Sequence, residues 1–148
     1  TSLDEMNESL TMMAWVYPGK ETRGLVDLLT KGDNHVLQLS GNKLGFFAGG
    51  WGRGDCMVDL PANWVGNWHH IAGVCDGKSL QVFIDGKLMG KTTLADLVNL
   101  SVTSKWNVGR NEEFPNERIF HGYMNRIKVF TAPLTEPEIL QEMGKAQQ

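Results

Sequence analysis

The sequence has little cysteine: Cys56 and Cys75 are the only two in 148 residues. That is too few for a disulfide framework and too few for a zinc site. Cys75 falls in an apolar strand pattern, and free Cys behaves as a small hydrophobe, so two buried free thiols are expected. A basic surplus is also missing. Lys and Arg number 14 against 17 Asp and Glu, for a net charge of −3. A binder of nucleic acid or of an anionic membrane would carry the opposite balance. No apolar run approaches the ~18 residues of a membrane span. No basic stretch followed by an apolar segment opens the chain, so no secretory signal is visible. The chain begins at Thr1 rather than Met, and reads as a piece of a longer polypeptide or a processed form. Catalytic motifs are absent too: there is no His-Glu-x-x-His and no Gly-x-Ser-x-Gly. Glu112 and Glu113 are adjacent in a polar loop and read as a solvated pair.

What is present is turn chemistry. Seventeen glycines and five prolines accompany 41% hydrophobic and 21% charged residues. This is an ordinary globular composition with many short elements, closer to an all-β chain than to a helical bundle. Strands are expected from Thr11 to Tyr17, from Gly24 to Thr30, from Val36 to Ser40, from Lys43 to Ala48 and from Cys56 to Leu60. The strongest β signal runs from Trp68 to Gly90, where alternating residues are broken by Asp76-Gly77 and again by Asp85-Gly86. Asp-Gly suits a tight hairpin because both central residues need φ > 0. A short strand from Trp106 to Arg110 and a long one from Phe120 to Phe130 complete the set. Thr135 and Glu138 fit a capping box ahead of one short helix, with Gly144 as its stop. Short strands with turn signals every 8–12 residues or so predict a β-sandwich or barrel in a single domain spanning 1–148.

Several segments then resemble a known family. Trp68-His69-His70-Ile71-Ala72-Gly73-Val74, Asp76-Gly77 and Val82-Phe83-Ile84-Asp85-Gly86-Lys87-Leu88 resemble the core of laminin-G-like domains. Met13-Ala14-Trp15-Val16-Tyr17-Pro18, Val108-Gly109-Arg110 and the strand from Phe120 to Phe130 agree in order. These domains belong to the concanavalin A-like lectin and glucanase superfamily. The phrase from Leu60 to His70 looks like the modules appended to bacterial glycoside hydrolases, including β-galactosidase-like enzymes. The resemblance implies an all-β jelly-roll sandwich of two antiparallel sheets, with ligands bound on the concave face or at the rim loops. It also implies a structural calcium. Asn125, standing where the family often has Asp, removes one carboxylate from such a site.

A sugar site needs apolar surface for C–H faces and planar polar groups for hydroxyls. If Leu37, Leu39, Leu44 and Phe46 face the core, period two sends Gln38 and Phe47 to the opposite face. Trp51 and Arg53 sit in the adjacent glycine-rich loop, and Arg110 lies in another candidate rim loop. The expected shallow carbohydrate site is therefore Gln38, Phe47, Trp51, Arg53 and Arg110. Trp15, Trp64, Trp68 and Trp106 are expected to be structural, with His70 packed and His69 at the surface. Arg53-Gly54-Asp55 spells a cell-adhesion tripeptide of the kind that arises by chance.

The expected function is a non-catalytic carbohydrate-binding or accessory module of a larger secreted or periplasmic enzyme. Its partners would be an oligo- or polysaccharide and the catalytic domain of the parent chain, with no nucleic acid and no membrane. A spacer that packs on that catalytic domain without binding sugar is the first alternative. A protein-binding laminin-G-like domain is the second.

Overall fold

The computed structural model describes residues 9–50, 54–96 and 100–145. Among them are strands β1 (Leu10–Pro18), β2 (Leu25–Lys31), β3 (His35–Ser40), β4 (Lys43–Phe47), β5 (Cys56–Asp59), β6 (His69–Cys75), β7 (Ser79–Ile84), β8 (Lys87–Thr93), β9 (Trp106–Val108) and β10 (Gly122–Phe130), and helix α1 (Glu136–Gly144). The strands form two five-stranded sheets, ordered β10-β1-β6-β7-β8 and β5-β4-β3-β2-β9. Every strand pairing is antiparallel. The expected two-sheet jelly-roll sandwich is the fold observed.

Alternation places the core. Leu37, Leu39, Leu44 and Phe46 of the second sheet meet Met12, Ala14, Val16, Ile71 and Cys75 of the first. Gly73 on β6 makes room for this meeting, since a Cβ there would lie 2.6 Å from the Phe46 ring. The outer face of the first sheet carries a second cluster, where Ile139 of α1 covers Met13, Ala72, Val74 and Phe83. The capping box is formed: the Glu138 N–H donates to Thr135 Oγ1, and the Thr135 N–H donates to Glu138 Oε1. Both cysteines are buried and unbonded. Among the described residues no helix is long and apolar enough to cross a membrane.

Local expectations fare unevenly. Asp85 (φ 52°) and Gly86 (φ 81°) are both left-handed, as a tight Asp-Gly hairpin demands. At the other Asp-Gly pair only Gly77 is left-handed (φ 90°). Asp76 instead uses its side chain, Oδ1 accepting the N–H groups of Lys78 (2.9 Å) and Ser79 (2.7 Å). Gly144 does not stop the helix. It is helical, and Lys145 ends the helix in extended conformation, its own carbonyl held by Arg126 Nη1 at 3.1 Å. A capped end of this kind needs no left-handed glycine.

His69 is not at the surface. Its side chain is 3% exposed, because it stacks on Trp64 at 5.1 Å and faces oxygens at both ring nitrogens. His70 is packed as expected, edge-on to Trp15 at 5.3 Å. Trp64 is buried but Trp68 is 46% exposed.

Candidate functional site

The face of the second sheet turned away from the core carries the candidate site. On β3, Leu37 and Leu39 point inward, so Gln38 and Ser40 point outward. On β4, Leu44 and Phe46 are inward and Gly45 and Phe47 outward. On β5, Cys56 and Val58 are inward and Met57 outward. Register aligns Asp27, Gln38, Gly45 and Met57 as one row across β2, β3, β4 and β5. Leu25, Ser40, Lys43 and Asp59 form the next row. Gly45 is what lets Met57 lie close to the sheet, since a Cβ there would come within 2.4 Å of the Met57 sulfur.

These rows floor a groove of about 410 Å³. It is lined by Leu25, Asp33, Gln38, Ser40, Phe47, Asp55, Met57 and Arg118. Two of the five residues expected from the sequence, Gln38 and Phe47, are brought together here. Phe47 is 2% exposed, so it offers an edge rather than a broad stacking surface. Arg110 is exposed and outside this lining; its backbone carbonyl accepts from Thr30 Oγ1 at 2.7 Å. Trp51 and Arg53 lie outside the described residues.

The cation in the groove is Arg118, from the loop 109–121. Its Nη1 stands 3.5 Å from Asp33 Oδ1 and 3.9 Å from Asp27 Oδ2. Its guanidinium carbon lies 3.6 Å from the centre of the Phe114 ring. Backbone contacts fix this loop to β2: the Asp27 N–H donates to the Arg118 carbonyl at 2.8 Å, and the Gly109 N–H donates to the Leu28 carbonyl at 2.7 Å. Side chains fix it to the β2–β3 turn. The Asp33 N–H donates to Glu113 Oε2, Asn111 Nδ2 donates to Asp33 Oδ1 at 3.3 Å, and the Glu113 N–H donates to Asn111 Oδ1 at 3.0 Å.

Asp27 is wholly buried, and neither of its carboxylate oxygens has a hydrogen-bond partner of good geometry, although the Asn111 amide is near enough to favour its charged form. Burial pushes its pKa up to about 6; Arg118 opposes the rise and Asp33 adds to it. Burial also raises Asp33, against the pull of Arg118. Gln38 is 9% exposed, and its Oε1 has no hydrogen-bond partner. The groove thus pairs apolar surface with the Gln38 amide, whose Oε1 is unpartnered.

Sequence reasoning missed Arg118, Met57 and Asp27. Asp27 left a signal, being a lone carboxylate inside the apolar run from Leu25 to Leu29. Met57 followed from the same period two that gave Gln38. Arg118 gave none, because the loop that carries it folds back across 91 positions to reach Asp27.

A second cavity of about 470 Å³ shares Leu25 and Arg118 with the groove and is lined further by Lys20, Glu21, Arg23 and His121. Among the described residues no cluster of three or more His, Cys, Asp or Glu side chains could hold a metal ion. The described residues therefore lack the carboxylate cluster on which the calcium implied by the resemblance would most readily sit.

Comparison with known proteins follows from this geometry. The family described as the concanavalin A-like lectin/glucanases superfamily, of laminin-G type, matches residues 1–140. No curated protein matches. A Bacteroides ovatus protein described provisionally as carbohydrate-binding is 18% identical with a TM-score of 0.75. The match covers 90% of this chain and 40% of that one, so this chain spans less than half of its relative. The CBM40 module of a Ruminococcus gnavus sialidase, solved with α2,3-sialyllactose, is 20% identical with a TM-score of 0.71, over 93% of this chain and 84% of that one. A heptameric pentraxin from Limulus polyphemus is 15% identical with a TM-score of 0.72, over 90% and 69%. At these identities the likeness shows the fold. With a sandwich of this topology and a family match over nearly all its length, the chain belongs to the concanavalin A-like lectin/glucanase superfamily.

Proposed function

We propose that this domain is a non-catalytic carbohydrate-binding module and that the groove on the second sheet is its sugar site. One observation carries the reading: apolar Leu25, Phe47 and Met57 stand beside the amide, hydroxyl and guanidinium of Gln38, Ser40 and Arg118. A sugar presents C–H faces and hydroxyls side by side, and this mixture complements both. Two structural neighbours support it, one described provisionally as carbohydrate-binding and one solved with sialyllactose. Trp51, Arg53 and Arg110 belong to the proposed rim. The module would serve a larger secreted or periplasmic glycoside hydrolase. Holding the enzyme at a polysaccharide raises its effective concentration. Single-site affinity is weak, because an open groove buries little of its ligand.

A glycan-array screen of the domain, with calcium and with chelator, tests this. Binding to a galactose- or glucose-containing polymer that is lost in Gln38→Ala supports it. Silence across a broad array, from protein shown to be folded, overturns it.

A second reading has its own observation. The ring of Tyr17 on β1 lies 5.6 Å from that of Trp68, just before β6, and 5.9 Å from that of Tyr123 on β10. Trp68 is 46% and Tyr123 69% exposed. An aromatic cluster of this kind favours a spacer that packs against a neighbouring catalytic domain.

A further inference from the structure

We infer that the groove takes a cationic amino sugar, a hexosamine unit whose nitrogen is a free ammonium; this rests on the reading of the groove as a sugar site. The charges point this way. Asp33 and Asp55 line the groove, and Asp27 lies beside Gln38 in the same row. Arg118 is the one cation among the described residues that line it. That guanidinium is already engaged, facing Asp27 and Asp33 and lying over Phe114. A carboxylate or sulfate on a sugar would meet like charges there, with no unengaged cation among the described lining residues to receive it.

The hydrogen-bond inventory agrees. Gln38 is nine-tenths buried and lines the groove, and its Oε1 lacks a donor. A buried acceptor without a partner forfeits its full desolvation cost. A half-turn of the Gln38 amide exchanges its oxygen and its NH2 group, so the side chain can offer either end. An ammonium group brings three N–H donors and a positive charge into this setting. An N-acetyl group brings one N–H, no charge and added bulk.

The test is a titration of the domain, followed by backbone NMR, with three probes: glucosamine oligomers, N-acetylglucosamine oligomers and galacturonate oligomers. Glucosamine oligomers are expected to shift groove residues and to bind at least about tenfold tighter than the other two at low salt, weakening as salt rises. Asp55→Asn, at an exposed position, should remove most of that preference, and Glu136→Gln, exposed on α1 over the other sheet, should not. Equal or tighter groove binding of the acetylated or acidic oligomers overturns the amino-sugar inference and leaves the sugar-site reading standing. Equal losses in both variants mean diffuse attraction to an acidic surface, and overturn it too. If none of the three probes shifts the groove and the array is silent, the sugar-site reading itself fails.

Discussion

Asp85 Oδ2 stands 2.8 Å from Nδ1 of His69, while Asp85 Oδ1 accepts the backbone N–H of His70 at 2.9 Å. One turn residue thus ties down two consecutive residues of a neighbouring strand. It does so from a left-handed backbone, φ 52°. Asp85→Ala removes both contacts and strains the turn, for an expected loss of roughly 2–3 kcal/mol in a denaturant titration. Asp85→Asn keeps an acceptor for His70, can donate to His69, and tolerates the left-handed region, so it should lose about half of that or less. Equal losses would mean that the carboxylate charge, not the hydrogen-bond pattern, secures this corner.

The contact between Gly73 and Phe46 gives a second expectation. Gly73→Ala places a methyl group 2.6 Å from a ring buried at 0% exposure. Overpacking of this kind costs roughly 1–3 kcal/mol. Phe46→Ala alone should cost about 3–5 kcal/mol through the cavity it leaves. The double variant Gly73→Ala/Phe46→Leu should recover part of the first loss. Strict additivity in thermal melts would show that the two do not share a space.

Two buried groups oppose each other over one pH window. The pKa of Asp27 rises from 3.8 to about 6 on folding, so between these values the folded state holds more of the proton. Stability from Asp27 therefore falls as pH rises from about 4 to about 6. The pKa of His70 is lowered from 6.5 to about 4 by burial, partly offset by Asp85, so over that range the unfolded state holds more of the proton. Stability from His70 therefore rises with pH over the same range. Asp33 acts in the direction of Asp27, and His35, lowered by burial, in that of His70. Each two-unit shift is worth on the order of 3 kcal/mol at most, so the pair nearly cancels. Asp27→Asn should unmask the histidine slope, giving a domain distinctly more stable at pH 6.5 than at pH 4.5 in urea titrations. A profile parallel to the unmutated chain would mean that Asp27 does not titrate there.

The groove should separate stability from binding. Gln38 Oε1 has no partner, so Gln38→Met removes an orphaned acceptor. Unfolding free energy should stay level or rise by up to about 1 kcal/mol. Binding to any glycan that the array identifies should fall at least tenfold or so, if the amide contributes a hydrogen bond to the bound sugar. Lys87→Ala, on β8 of the first sheet, serves as the comparison, and an equal loss there would mean that the groove is not where the glycan binds.

How much of this was legible depended on distance along the chain. The capping box, the Asp85-Gly86 hairpin and the period-two strands rest on neighbours within a few residues, and they appeared where expected. Gln38 and Phe47 became legible through that same period. The surface placement of His69 failed because Trp64, in the loop before β6, closes over its ring. The left-handed Asp76 failed because its side chain supplied a competing hydrogen-bond pattern. Arg118 was invisible because only the folded loop brings it to Asp27 and Asp33.

The pairing of β1 with β10 bears on biosynthesis. Thr11 lies opposite Phe130 at the start of that ladder, and its hydroxyl donates to the Ala132 carbonyl at 2.7 Å. On the ribosome β1 emerges first and gains β6 on one side once residue 75 is made. Its other edge stays open until β10 leaves the exit tunnel. The domain therefore passes through a stage in which nearly all of it has been translated and a central strand is still an exposed edge. Nascent chains of this fold should depend on chaperone cover in that interval.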